Sequence, residues 1–171
     1  MALEVTVREY RPGDLEAMIA LDVVCFQPAF QFSRRTMRLF AEAPGTVTIV
    51  AEAPPELAGF AIVQMEERVG YVVTLDVAPT WRRQGLAKRL MAEMDARVAA
   101  AGGVATKLHV FADNQAAVRF YETIGYARMG LVKGFYGVGL DALLYGKMLG
   151  EDAGGRRWGK ALGEDAGRRL V

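Results

Sequence analysis

The chain has 171 residues, of which 52% are hydrophobic and 24% charged, with a formal net charge of +1. This balance suits one globular domain with a full core, and near-neutrality excludes a general electrostatic pull toward nucleic acid or an anionic membrane surface. The single cysteine, Cys25, excludes an internal disulfide framework and a thiolate metal cluster; its helical neighbourhood marks it as a core thiol, and no metal site is expected. The opening MALEVTVREY lacks the charged-then-apolar pattern of a signal peptide and no apolar run approaches membrane-spanning length, so a cytoplasmic location is expected.

Taken in order, Glu4 to Glu9 alternates polar and apolar residues, which predicts a strand with one buried face. Pro12-Gly13 breaks it, and Asp14 stands as a cap before a helix from Leu15 to about Cys25. A second short helix follows Ser33. The segment between them is rich in Phe (Phe26, Phe30, Phe32), aromatics that either line a groove or pack the helices onto the sheet. Thr46 to Ala53 and Leu57 to Met65 read as two strands joined at Pro54-Pro55-Glu56, and the polar turn Glu66 to Gly70 leads into a third, Tyr71 to Val77, closed by Pro79. A helix from about Gly85 to Ala101 carries Leu86, Leu90, Met94 and Val98 at every fourth position and ends at Gly102-Gly103. Then come a strand from Thr106 to Phe111, the capping pair Asp113-Asn114, a short helix from Gln115 to Ile124 stopped by Gly125, and strands over about Ala127 to Tyr136 and Asp141 to Met148. Strand, helix and strand around Gly85 form a right-handed βαβ unit with parallel strands, whereas the preceding meander is antiparallel, so the fold class is α/β with a mixed sheet flanked by helices.

The turn Trp81-Arg82-Arg83-Gln84-Gly85 joins that strand to that helix. Guanidinium groups, a glycine without Cβ and the unpaired amides of a helix start together make an anion site suited to phosphate, and the plainer alternative is a solvated basic loop. Neither the P-loop nor the three-glycine dinucleotide fingerprint is present.

Arg82-x-x-Gly85-x-Ala87 after a strand resembles the R/Q-x-x-G-x-G/A motif of the GCN5-related N-acetyltransferases (GNAT), with Ala87 where glycine is usual. DNQAAVRFYETIGY is similar to that family's second signature, N-x-x-A-x-x-x-Y-x-x-x-G-F/Y, so the resemblance spans Val5 to about Leu149 and defines a domain of residues 1–149. It implies the GNAT fold, in which the central strand and its parallel neighbour splay apart, and acetyl-CoA as cosubstrate. Arg82, Arg83, Gln84, Gly85, Leu86, Ala87 and Lys88 are then expected to hold the pyrophosphate, the backbone of Leu75, Asp76 and Val77 the pantetheine arm, with Asn114 assisting while also capping its helix. Tyr121 matches the tyrosine that gives a proton to the coenzyme A sulfur; a phenol pKa of about 10 is close enough to that of a thiol for this transfer. Read without the motif, Tyr121 is a core aromatic.

His109 is the only histidine. Bacterial ribosomal-protein alanine N-acetyltransferases, the family members this chain most resembles, have glutamate at the matching strand position, acting as base toward the amine. An imidazole with an unperturbed pKa of about 6.5 accepts the same proton, or His109 is simply structural. Phe135-Tyr136 resembles the aromatic pair with which peptide-accepting members clamp the acceptor backbone. The resemblance thus implies transfer to a primary amine, with a protein or peptide N-terminus ahead of a small molecule; transfer of a longer acyl chain and a non-catalytic acyl-CoA-binding module remain alternatives. No nucleic-acid or membrane partner is expected, and the chain is either a monomer or a homodimer. The remainder, 150–171, is polar and Gly/Arg-rich, with GEDAGGRR recurring as GEDAGRR; it is expected to be flexible unless Trp158, Ala161 and Leu162 dock as a helix.

Overall fold

The computed structural model describes residues 4–150. The strands are β1 (Thr6–Glu9), β2 (Thr46–Ala53), β3 (Glu56–Glu66), β4 (Val69–Val77), β5 (Ala105–Phe111), β6 (Ala127–Gly137) and β7 (Leu140–Met148); helices α1 (Leu15–Cys25) and α2 (Arg34–Glu42) follow β1, α3 (Leu86–Ala100) follows β4 and α4 (Gln115–Thr123) follows β5. The strands form one seven-stranded mixed sheet in the order β1-β2-β3-β4-β5-β7-β6, with β4 and β5 as its parallel pair. The expected strand and helix order is therefore present, with the last two strands paired so that β7 precedes β6 in the sheet. The duplicated C-terminal segment and the helical alternative around Trp158 lie outside the described residues. The described residues divide into two compact units, one running to Gln64 and resuming over Val72–Arg97, the other taking Met65–Tyr71 and residues 98–150.

In the first unit, β1, β2 and β3 are an antiparallel meander in which Thr6 faces Glu52 and Val50 faces Phe60, with a bulge between Ala51 and Glu52. Leu15, Met18 and Leu21 of α1 recur at helical spacing and bury against Met37 and Ala41 of α2 and Val50, Phe60 and Ile62 of the sheet. This apolar burial is the main source of the unit's stability. Phe32 packs on this cluster and meets Phe40 edge-on at 5.5 Å, which answers the question about that aromatic in favour of packing. Ser33 caps α2 by accepting from the Thr36 amide. Asp14 behaves differently from the expected cap. It precedes α1 but makes no side-chain cap bond, because both of its oxygens accept from the Arg8 guanidinium at 2.9 Å and one also accepts from the Arg11 amide. A bidentate charge-assisted pair outcompetes a single neutral cap; the hydrogen bonds from Arg8 hold the Asp14 carboxyl below its usual range.

In the second unit, β5, β7 and β6 pair antiparallel, with Leu108 facing Tyr145, His109 facing Leu144 and Leu131 facing Leu143. Asn114 caps α4 through its side-chain oxygen, which accepts from the Ala117 amide at 3.2 Å, and Gly125, at φ +99°, lets the chain reverse after the helix. Lys107 is buried, and its ammonium pairs with Glu66 at 2.7 Å.

Candidate functional site

The basic turn lies in the first unit. β4 ends at Val77, a short 3₁₀ turn over Pro79–Trp81 follows, and Arg82 is extended. Arg83 then adopts φ +59° and Gly85 φ +79°, two left-handed residues within three. The first is a non-glycine in a sparsely populated region, the kind of local strain that persists where surrounding structure enforces it. A Cβ built on Gly85 meets nothing within 4 Å, so the glycine answers to its dihedral and leaves open space above the backbone. Its carbonyl accepts from the Arg89 amide at 3.0 Å, the first bond of α3. The amides from Gly85 to Lys88 therefore precede the hydrogen-bonded ladder and carry the positive end of the helix dipole. Leu86 is buried and anchors the helix, while Arg82, Arg83, Gln84 and Lys88 are exposed and Ala87 is half-buried. Arg82 Nε donates to the Val77 carbonyl at 3.0 Å and Gln84 Nε2 to the Thr80 carbonyl at 2.8 Å, bracing the turn onto the strand end.

Around the end of β4, Leu75 is half-buried and Asp76 is fully buried. The Val77 carbonyl accepts a second bond, from Cys25 Sγ at 3.4 Å, so it is already engaged twice. Burial pushes the Cys25 thiol up, which suits a half-buried packing residue and not a thiolate nucleophile. Asp76 Oδ1 accepts from Thr74 Oγ1 at 2.6 Å while its Oδ2 has no partner. Burial, with the field of Asp22 adding to it, holds this carboxyl well above the usual range. Asp22, also fully buried, accepts from the Phe32 amide at 2.8 Å through Oδ2, leaves Oδ1 without a partner, and is pushed up by burial to about 6. Neither acid announces itself in the sequence, because a carboxylate inside an apolar run resembles a solvent-facing helix or strand position.

In the second unit, β5 places His109 among aromatic rings. Its Nδ1 shares a 2.9 Å hydrogen bond with the Tyr71 hydroxyl. Phe135 stacks on the imidazole at 4.1 Å and 14°, and the Tyr136 hydroxyl donates to the His109 carbonyl at 3.1 Å. His109 Nε2 is buried without a partner. Burial, assisted by the Lys107 charge, pushes the imidazole down to about 4, so it is neutral at physiological pH. The structure thus brings His109 together with the aromatic pair Phe135-Tyr136. It also adds Tyr71, which the sequence presents only as the first of a run of strand-formers. Tyr121, near the end of α4, is half-buried and meets Phe120 at 5.2 Å and Tyr126 at 5.7 Å, both edge-on. Asn114 is exposed, with its side-chain oxygen engaged in the cap. Among the described residues, no three His, Cys, Asp or Glu side chains are grouped to hold a metal ion, and no helix is long and apolar enough to cross a membrane.

Residues 15–126, from α1 through the second signature, match the model of the acetyltransferase (GNAT) family. The chain belongs to that family. The catalytic subunit NAA10 of the N-terminal acetyltransferase A complex of Arabidopsis thaliana is 28% identical over 144 residues, covering 81% of this chain and 74% of NAA10. Mycothiol acetyltransferase of Salinispora tropica is 34% identical over 139 residues, 72% of this chain, but the matched part spans only 45% of that relative's length. Among solved structures, the ribosomal-protein-S18-alanine N-acetyltransferase of Escherichia coli superposes with a TM-score of 0.76 at 22% identity, covering 87% of this chain and 98% of that one. Arabidopsis thaliana NAA60 in complex with acetyl-CoA superposes with a TM-score of 0.74, also at 22% identity, covering 85% and 100%. At that identity the likeness establishes the fold, and GNAT relatives act on both protein N-termini and small molecules.

Proposed function

We propose that this GNAT protein is a cytoplasmic, acetyl-CoA-dependent N-acetyltransferase whose acceptor is the α-amine of a protein or peptide. The observation that carries the choice of acceptor is His109: a neutral imidazole, fixed through Nδ1 by Tyr71, with Nε2 unpartnered beside Phe135. A base held at about 4 cannot strip a proton from a free ammonium ion near neutrality. It does take the proton of an amine nitrogen already bonding to a carbonyl carbon, where the N–H has become acidic. Such a site favours an acceptor that arrives neutral. An α-amine, with a pKa of about 8, is partly neutral at physiological pH, whereas a lysine amine at about 10.4 is not. The aromatic faces of Phe135 and Tyr136 beside His109 suit an acceptor with a peptide backbone.

The cosubstrate supplies an acetyl thioester, and the residues present fit its phosphates: the left-handed turn at Arg83 and Gly85 leaves the start of α3 approachable, with Arg82, Arg83 and Lys88 supplying charge. In this reading the Leu75, Asp76 and Val77 backbone and Asn114 serve the pantetheine arm, and Val77, whose carbonyl is engaged, contributes through its amide side. Tyr121 gives its proton to the departing sulfur and His109 takes one from the amine. Purified full-length protein with acetyl-CoA, assayed for free thiol release, is expected to turn over peptides beginning with Ala, Ser or Met faster than polyamines or aminoglycosides. Preferential turnover of a polyamine or an aminoglycoside would overturn the choice of acceptor, and thiol release with no amine at all would overturn the transferase reading.

A further inference from the structure

Within the second unit, the helix that carries Tyr121 has nine residues, none of them fully buried. A helix this short is marginal by itself, so the direction of a side chain near its end depends on what fastens that end. Two fastenings are visible. The Tyr145 hydroxyl, on a side chain 1% exposed in β7, donates to Glu122 Oε1 at 2.8 Å. Tyr126, 3% exposed, shares a buried 2.8 Å hydrogen bond between its hydroxyl and Thr106 Oγ1 of β5. The same Tyr126 meets the Tyr121 ring edge-on at 5.7 Å and 69°, and its amide donates to the Tyr121 carbonyl at 3.0 Å. The Lys147 ammonium lies over the Tyr126 ring, 5.8 Å from its centre. Tyr126 thus ties both the backbone and the ring of Tyr121 to a rigid strand.

We propose that Tyr126 is a positioning residue for the Tyr121 hydroxyl, acting through its hydrogen bond to Thr106, and that Tyr145 with Glu122 is the second half of the same brace. This rests on the reading of Tyr121 as the proton donor. Proton transfer to a departing sulfur tolerates little displacement of the donor, whereas phosphate binding at the Arg82–Lys88 turn does not depend on the direction of the Tyr121 hydroxyl. The hydroxyl at Tyr126 is not needed to fill space, since a phenylalanine would occupy the same volume. Its burial is sustained because it and Thr106 satisfy one another.

The test uses full-length protein with acetyl-CoA and an Ala-initiated peptide. Tyr126→Phe and Thr106→Val each remove the same hydrogen bond from opposite ends, and each should lower kcat by roughly tenfold with KM for acetyl-CoA unchanged. In a Tyr121→Phe background the same substitutions should cost nothing further, because the group they aim is gone. If Tyr126→Phe lowers kcat by the same factor in both backgrounds, Tyr126 acts through the fold generally and the inference fails. It also fails if Tyr121→Phe is slow while Tyr126→Phe and Thr106→Val keep the parent kcat. If Tyr121→Phe itself turns over at the parent rate, the proton-donor reading falls and takes this inference with it, a result distinguishable from the other two.

Discussion

Replacing His109 by glutamine tests the site most directly, since the structure gives both the size and the sign of the effect. The imidazole is pushed from its ordinary 6.5 down to about 4, first by burial and then by the Lys107 charge. At roughly 1.4 kcal/mol per pKa unit, the folded protein resists protonating this ring by about 3 kcal/mol. In the unfolded chain the ring takes up a proton below about 6.5, while in the folded chain it does not until about 4. The unfolded state therefore binds more protons across this window. Stability is fully present above 6.5 and is lost as pH falls toward 4, by about 3 kcal/mol from this group alone. Urea midpoints at pH 7.5 and 4.5 should show His109→Gln losing less stability on acidification than the parent does, by most of that amount. The kinetic counterpart is that parent and variant have the same pH profile from 6 to 9, governed by the acceptor amine, with the variant slower by about a hundredfold throughout. An ascending limb near 6.5 that disappears in His109→Gln would mean an imidazole in water, contradicting its burial against Phe135. An unchanged rate would make His109 structural.

At the turn, Gly85→Val places a β-branched residue at φ +79°, at a cost of about 1–2 kcal/mol, and fills the space over the amides. Calorimetry should find acetyl-CoA affinity reduced at least tenfold in a folded protein, and parent-like affinity would put the phosphates elsewhere. Asp22 is pushed up to about 6 by burial, so its contribution to stability is greatest below its unfolded pKa of about 4 and declines as pH rises through 6. Asp22→Asn keeps an oxygen for the Phe32 amide and removes the charge, so at pH 7.5 it should be more stable than the parent by up to about 3 kcal/mol; a variant less stable than the parent in urea would show that the carboxylate is satisfied.

How far the sequence speaks depends on whether the partners are near one another in the chain. Leu86, Leu90, Met94 and Val98 are all buried, because a single helical period decides which face they share. The basic turn is legible for the same reason: strand, arginines, glycine and helix start are contiguous, and Gly85 adopts the left-handed conformation its residue type permits. Asp14 marks the limit at short range. Its place before α1 predicts a cap, yet Arg8, six residues earlier, takes both oxygens. The character of His109 lies largely beyond local patterns. Its pKa is set first by burial and then by the Lys107 charge, and the rings beside it, Tyr71 and Phe135, lie 38 and 26 residues away in the sequence. Only strand pairing decides that these rings, and not water, surround the imidazole. The ordinary pKa expected from residue type is therefore displaced in a direction no spacing rule supplies. That displacement carries the functional argument, for a histidine at 6.5 would serve many amines, whereas one held near 4 serves acceptors that arrive already neutral.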